Sequence, residues 1–169
     1  IYHWNMVLEH LKKYFFEYLV DSFTNIIIYI YEEDYQQWLD ETVLLLKNRQ
    51  VDSLDYEHLI EELEALGREQ KNAVDSLVIQ VIQHLLFYHY WSSEREDNER
   101  HWRGELIGFR TQLELRLTTN LRNHLSNRLD YLYGKARKMA EVKTDLKLPS
   151  ENPYALADIL DEDWIPEIS

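Results

Sequence analysis

Residues 56–91 read YEHLIEELEALGREQKNAVDSLVIQVIQHLLFYHYW, a stretch with no proline and a single glycine, Gly67. Apolar side chains recur in it every three to four residues, which is the spacing of one face of an α-helix. Asp55 stands immediately before the stretch and is a good N-cap residue. The pattern predicts a long helix over about residues 55–91. Glycine costs about 1 kcal/mol relative to alanine inside a helix. Two alternatives therefore remain: a single helix, or two helices joined near Gly67.

Similar apolar stripes occur on both sides of this stretch, separated by short polar segments. Two stripes precede it: Trp4, Leu8, Leu11, Phe15 and Leu19, and then Tyr35, Leu39, Thr42 and Leu46, with Trp38 at the border. Two stripes follow it: Trp102, Leu106, Phe109, Leu113 and Leu117, and then Leu121, Leu125, Leu129, Leu132, Ala136 and Met139. A short helix can follow near residues 154–160. Long amphipathic helices with short connections are typical of antiparallel neighbours. The sequence therefore predicts an all-α fold, an antiparallel helical bundle of about five helices.

Composition excludes several classes of function. The chain has 169 residues and no cysteine, which rules out a disulfide framework and a cysteine nucleophile. Neither a Gly-x-Gly-x-x-Gly motif, a phosphate-binding loop nor a Gly-x-Ser-x-Gly motif is present. No apolar run approaches the roughly 20 residues that span a bilayer. We predict no cofactor, no bound metal, no membrane association and a cytoplasmic location.

Charge is distributed unevenly along the chain. The formal net charge is -13, which disfavours nucleic-acid binding because phosphates would be repelled. Residues 100–143, however, carry ten Lys/Arg against four Asp/Glu, a local balance of +6. These basic helices either face acidic helices within the bundle or form a patch for an acidic partner. Nucleic-acid binding is the less favoured form of the second hypothesis, and it would depend on Arg122, Arg128 and Arg137.

Four polar residues occupy unexpected positions on a helical wheel. Glu62 falls on the border of the apolar stripe of the long helix, whereas Gln70 and His84 fall inside it. Arg110 falls inside the stripe of the helix near residues 102–117. Because an unpaired buried polar group costs about 1–3 kcal/mol or more, we expect these residues to form a buried polar network. The remaining glutamates that face away from the stripe are expected to be solvated, namely Glu57, Glu61 and Glu64.

Two interpretations of this network remain. It can fix the register of the helices as a satisfied set of hydrogen bonds, which we favour. Alternatively it is a site, with Glu62 as a base or metal ligand, His84 as a ligand or acid, and Arg110 as an anion clamp. A metal is the weaker form of the second interpretation, since Arg110 would repel a cation and no Glu-x-x-His spacing is present.

Several motifs resemble a bacterial family, common in cyanobacteria, that is known only as domain of unknown function 29. They are DYQQW near Trp38, LIEELEALGRE from Leu59, HLL from His84, HW..E..GFR ending at Arg110, and YALADILDEDW ending at Trp164. The positions that match are Asp34, Trp38, Asp55, Glu61, Glu62, Glu64, Gly67, His84, Trp102, Arg110 and Trp164. The resemblance covers about residues 31–166, so we predict a single helical domain over 31–169 and an N-terminal helical extension over 1–30. Two departures, His101 in place of a serine and the linker WSSEREDNE, put a site at that linker in doubt. The family implies an all-helical fold and no established activity.

The functional prediction is a small, non-enzymatic helical protein that acts by self-association or through a protein partner. It depends on the 22 aromatic residues, many of them on helix faces, and on the lack of a catalytic motif. The alternative is an enzyme or ligand-binding protein that uses Glu62, His84 and Arg110. Accessible apolar surface would favour the first hypothesis, and a solvent-open polar pocket would favour the second.

Overall fold

A computed structural model describes residues 12–15, 18, 26–27 and 29–168, and these residues are helical or irregular, with no strand among them. The all-α prediction is confirmed. Residues 29–33 are helical, and the chain continues through α1 (Tyr35–Lys47), a 3-10 turn (Val51–Ser53), α2 (Tyr56–Tyr90), α3 (Ser92–Arg116), α4 (Thr119–Thr144) and the short α5 (Leu156–Leu160). Most of the N-terminal stripe predicted from Trp4 to Leu19 lies outside the described residues.

Side-chain caps account for where the helices begin. The Asp34 carboxylate accepts from the backbone N–H of Gln37 at the start of α1, and the Thr118 hydroxyl accepts from that of Leu121 in α4. Asp55 accepts from the backbone N–H of His58, which confirms it as the cap of α2. Each carboxylate or hydroxyl satisfies an N–H group that the first helical turn leaves without a partner.

The long helix predicted over residues 55–91 is one continuous helix, α2, which passes through Gly67 without a break. Gly67 does not have a positive φ angle, and the thirty-five residues of α2 place its two ends in different compact units of the chain. These units are Ile1–Leu66 and Gly67–Ser169. The single domain proposed for residues 31–169 stays a prediction.

The second unit has an extensive hydrophobic core, which includes Val78, Leu85, Phe87, Trp102, Leu113, Leu125, Tyr133 and Tyr154. The predicted stripe of α3 is confirmed by the burial of Trp102, Leu106 and Leu113. In α4 the stripe differs at its end, because Met139 is exposed and Ala140 is buried instead. Single-residue and two-residue connections join α2 to α3 and α3 to α4, a length typical of antiparallel neighbours.

None of the helices that the structure describes is long and apolar enough to cross a lipid bilayer.

Candidate functional site

Glu62 lies in the first unit, where both of its carboxylate oxygens accept hydrogen bonds from tyrosines. Tyr31 Oη donates to Oε1 at 2.8 Å, and Tyr35 Oη donates to Oε2 at 2.9 Å. Because a hydroxyl that donates to a carboxylate is harder to deprotonate, the bond to Glu62 raises the pKa of Tyr31 to about 12 and also raises that of Tyr35. Glu62 is only half-buried, so it is a paired carboxylate on the edge of the unit.

A second acidic residue supports the same cluster. Asp55 is buried, and its Oδ2 lies 2.5 Å from Nδ1 of His58. The His58 ring stacks on Tyr31 with centroids 3.9 Å apart, and the Tyr31 ring meets the fully buried Trp38 edge-on. The cluster therefore joins the start of α2 to residues 29–33 and to α1. The sequence signals for it, the three-residue spacing of Asp55 and His58 and the four-residue spacing of Tyr31 and Tyr35, are too common to identify a site.

Gln70 does not join a buried network, because it is exposed. The prediction of its burial is wrong for a physical reason: the stripe to which it belongs is itself exposed in this part of α2. Leu63 and Leu66, its neighbours on the wheel, are 60% and 53% exposed. A helical wheel identifies an apolar face but does not show whether anything covers it.

His84 is buried in the second unit at 9% exposure. Its Nδ1 lies 2.8 Å from the carbonyl oxygen of Gln80, so the proton resides on Nδ1 and is donated to the backbone. The rings of Phe87 and Phe109 lie 5.4 Å away. Burial lowers the pKa of His84, although the Gln80 carbonyl opposes this effect. The surroundings favour a neutral imidazole with a structural role.

Arg110 is 3% exposed and binds the C-terminal part of the second unit. Its Nε donates to the carbonyl of Ile159 at 2.9 Å and its Nη2 to that of Asp158 at 3.0 Å. Its Nη1 donates to the carbonyls of Trp164, at 2.8 Å, and Glu162, at 3.3 Å. Burial lowers the pKa of Arg110, but an arginine pKa is so high that the group keeps its charge. Four carbonyls occupy a guanidinium that has five N–H groups, which leaves little capacity to clamp an anion.

Within the second unit, His84 and Arg110 use different partners, and no hydrogen bond described there joins them. His84 binds its own helix, whereas Arg110 binds the segment around α5. Among the described residues, no group of three or more His, Asp or Glu side chains is arranged to hold a metal ion. The catalytic roles considered for Glu62, His84 and Arg110 stay predictions.

One buried ionic cluster was missed by sequence reasoning. Asp75 of α2 is buried, and its two oxygens contact Nε2 of His124 at 2.8 Å and Nε of Arg128 at 3.1 Å. On a helical wheel Asp75 lies away from the apolar stripe, so this pattern does not indicate its burial. The available signal was the four-residue spacing of His124 and Arg128, which puts both side chains on one face of α4.

Apolar side chains are exposed on two helices in the described part of the first unit. On α1, Trp38 and Thr42 are buried, but the adjacent stripe is exposed and consists of Tyr35, Leu39, Val43 and Leu46. On the first part of α2, a second exposed stripe consists of Tyr56, Ile60, Leu63 and Leu66. Tyr35, Leu39, Leu46, Leu63 and Leu66 belong to faces that the sequence predicts as buried. The structure leaves all eight residues about half accessible. We call these eight residues the apolar surface of the first unit.

The fold and these clusters define an all-α protein in which the buried Asp55, Asp75, His84 and Arg110 pair with side chains or backbone of the same chain. Within the described part of the chain, three buried polar atoms have no hydrogen-bond partner, namely Trp38 Nε1, Thr42 Oγ1 and Arg137 Nε. The chain belongs to the family described as Domain of unknown function DUF29, which matches residues 30–165 and confirms the resemblance. A search of curated proteins and a search of solved structures each found no match.

Proposed function

We propose that this protein is an interaction module, which acts by binding another protein chain through the apolar surface of its first unit. The observation that carries the proposal is the exposure of two stripes at helical spacing, on α1 and on α2. Single exposed apolar side chains are normal on protein surfaces. A repeated stripe is different, because it is the pattern by which a helix packs against another element.

The energetics favour covering this surface. Full burial of a leucine or isoleucine side chain stabilises a complex by about 1.5–3 kcal/mol, so a half-exposed one still offers roughly 1 kcal/mol. The apolar surface of the first unit has eight partly exposed apolar side chains on two helices, and five of them are leucine or isoleucine. Together they offer enough free energy to offset part of the entropy lost on association.

The alternative functions have less support from the contacts. An anion clamp at Arg110 would compete with the backbone carbonyls that already accept its N–H groups. Nucleic-acid binding was expected to use Arg122, Arg128 and Arg137. Of these, Arg128 pairs with Asp75, and Arg137 donates to the carbonyl of Pro149. Both cations therefore already have partners within the second unit.

Nile red fluorescence tests whether the apolar surface is accessible, because this neutral dye brightens on apolar protein surfaces. We expect the full chain to enhance the fluorescence, and the double variant Ile60→Ser, Leu63→Ser to lose most of the enhancement. The matched control is Ile107→Ser, Leu115→Ser, which removes two exposed apolar side chains from α3 of the second unit. The control should keep the enhancement.

Stability measurements on the same variants show whether a change in dye binding is caused by partial unfolding. Serine has a lower helix propensity than leucine or isoleucine, so both double variants should lose about 1 kcal/mol or less in urea unfolding. Equal dye binding by both double variants would contradict the proposal. So would a selective loss of about 3 kcal/mol or more in Ile60→Ser, Leu63→Ser, since it would mean that the chain itself already covers the stripe.

A further inference from the structure

We propose that the occupant of the α2 stripe is a second copy of this chain, bound head to tail. The stripe of one copy, with its acidic border, docks into a basic cleft at the end of α4 in the other copy. This inference rests on the proposed function and names the partner for it. The proposed contact needs two complementary surfaces, and each copy carries both: the α2 stripe in its first unit and the cleft in its second unit.

The first of these surfaces is apolar with an acidic border. Tyr56, Ile60 and Leu63 lie on adjacent turns of α2 and are each more than half exposed. Glu57 is exposed one turn before Ile60, and Glu61 is exposed one turn after Glu57, so the two form an acidic row beside the Ile60 edge of the stripe. Over residues 29–66 the first unit carries eleven Asp/Glu against two Lys/Arg, a balance of -9. A partner must therefore combine apolar side chains with positive charge.

The second surface has that combination. An open cleft of about 1280 Å³ lies between the end of α4 and the segment after it, and its walls include Val142, Leu146, Lys138 and Lys147. Val142 is 83% exposed, and both lysines are exposed. The walls of the cleft carry Arg137, Lys138 and Lys147 against Glu141 and Asp145, a balance of +1. Over residues 135–147 the balance is +3, because Lys135 and Lys143 add to the positive charge at this end of α4. The cleft is therefore an open, largely apolar surface whose rim has a net positive charge.

Charge decides between this arrangement and a symmetric one. If two copies met through their first units, two acidic units would meet, each with a balance of -9 over residues 29–66, and like charges across an interface suppress binding. When the stripe of one copy, with its acidic border, meets the basic cleft of another copy, opposite charges face each other. Such a contact uses two different surfaces, so each bound copy leaves one of each free, and association continues into a ring or an open chain.

Sedimentation of charge-reversed variants tests the inference. For the wild-type chain we expect the weight-average mass to rise with concentration, from the 20.6 kDa of one chain to at least about twice that value, and to fall again in high salt. An acid-reversed variant, Glu57→Lys, Glu61→Lys, and a base-reversed variant, Lys138→Glu, Lys147→Glu, should each stay close to the mass of one chain. Mixed together they should associate again, because each stripe then meets a cleft of opposite charge.

The control reverses two exposed acids elsewhere, Glu96→Lys and Asp97→Lys on α3, and should associate like the wild type. A wild-type chain of constant mass up to high concentration would overturn the inference. Association by the base-reversed variant alone would also overturn it, since this variant keeps the first unit intact and would then pair through it. Neither result affects the Nile red test, so the proposed function and this inference can fail separately.

Discussion

Arg110 and His84 are the two buried residues for which sequence reasoning considered catalytic roles, and both give N–H groups to backbone carbonyls. A carbonyl has no pKa near neutrality, so these contacts do not depend on the protonation of a partner. What changes with pH is the residue itself, and only histidine titrates in the range in which proteins are usually stable. The two residues therefore give different predictions.

For His84, we predict a specific pH dependence of stability. Its folded-state pKa is lowered by burial, so on acidification the unfolded chain takes up a proton that the folded chain resists. Its contribution is fully present above the unfolded pKa of about 6.5 and is lost as the pH falls through the lower folded pKa. In His84→Gln the free energy of unfolding should fall less between pH 7.5 and 5 than in the wild type. Urea unfolding at several pH values measures the difference.

The pKa of His89 is lowered as well, by burial and by Arg95, so the wild type and His84→Gln share its contribution. Their difference isolates His84. Identical pH profiles for the two proteins would contradict a lowered pKa at this residue.

For Arg110, the prediction is a large loss of stability. Arg110→Met keeps much of the side-chain volume but leaves buried carbonyls around Ile159 without donors, which should cost about 3 kcal/mol in urea unfolding. Amides of residues 155–165 should also exchange faster with deuterium. Arg110→Lys should be intermediate, because a lysine has three N–H groups where the structure uses four. A fully stable Arg110→Met would show that the carbonyl contacts contribute little.

At the scale of helices, the sequence predicted where elements lie better than which faces are covered. Asp55 marks the start of α2 because capping is a local interaction. His84 and Arg110 were correctly expected to be buried, since other helices of the second unit cover their stripes. Gln70, Leu63 and Leu66 lie on the predicted apolar stripe of α2 but are exposed, because the coverage of a stripe depends on distant parts of the chain. Trp38 was placed at a border and is fully buried, and Asp75 is paired by residues about fifty positions away.

The continuity of α2 gives a prediction at Gly67. A Cβ atom built at this position meets no other atom within 4 Å, and the backbone there is helical. Gly67→Ala should therefore raise the free energy of unfolding by about 1 kcal/mol, through helix propensity and the lower entropy of the unfolded chain. Gly134→Ala in α4, where there is similar space, is the control and should give a similar gain. A loss of stability in Gly67→Ala alone would indicate a break in the helix.

At the scale of the molecule, the two compact units differ in how their helices are covered. Residues 81–88 of α2 form a continuous run of buried residues in the second unit, whereas most of α1 in the first unit is exposed. Because amide exchange follows local opening, we predict that the amides of residues 78–88 exchange most slowly and those of α1 considerably faster. Hydrogen exchange followed by mass spectrometry measures both. Equal protection in the two units would contradict this difference.

The contacts of Arg110 also determine when the second unit can finish folding during translation. Arg110 is made well before its partners, which lie between Asp158 and Trp164. While the chain is being translated, the guanidinium must therefore stay hydrated, and the second unit cannot complete its core until these last residues have emerged. The Glu62 cluster needs only residues 31–62. The first unit can thus acquire its contacts, and present its apolar surface, while the second is still being made.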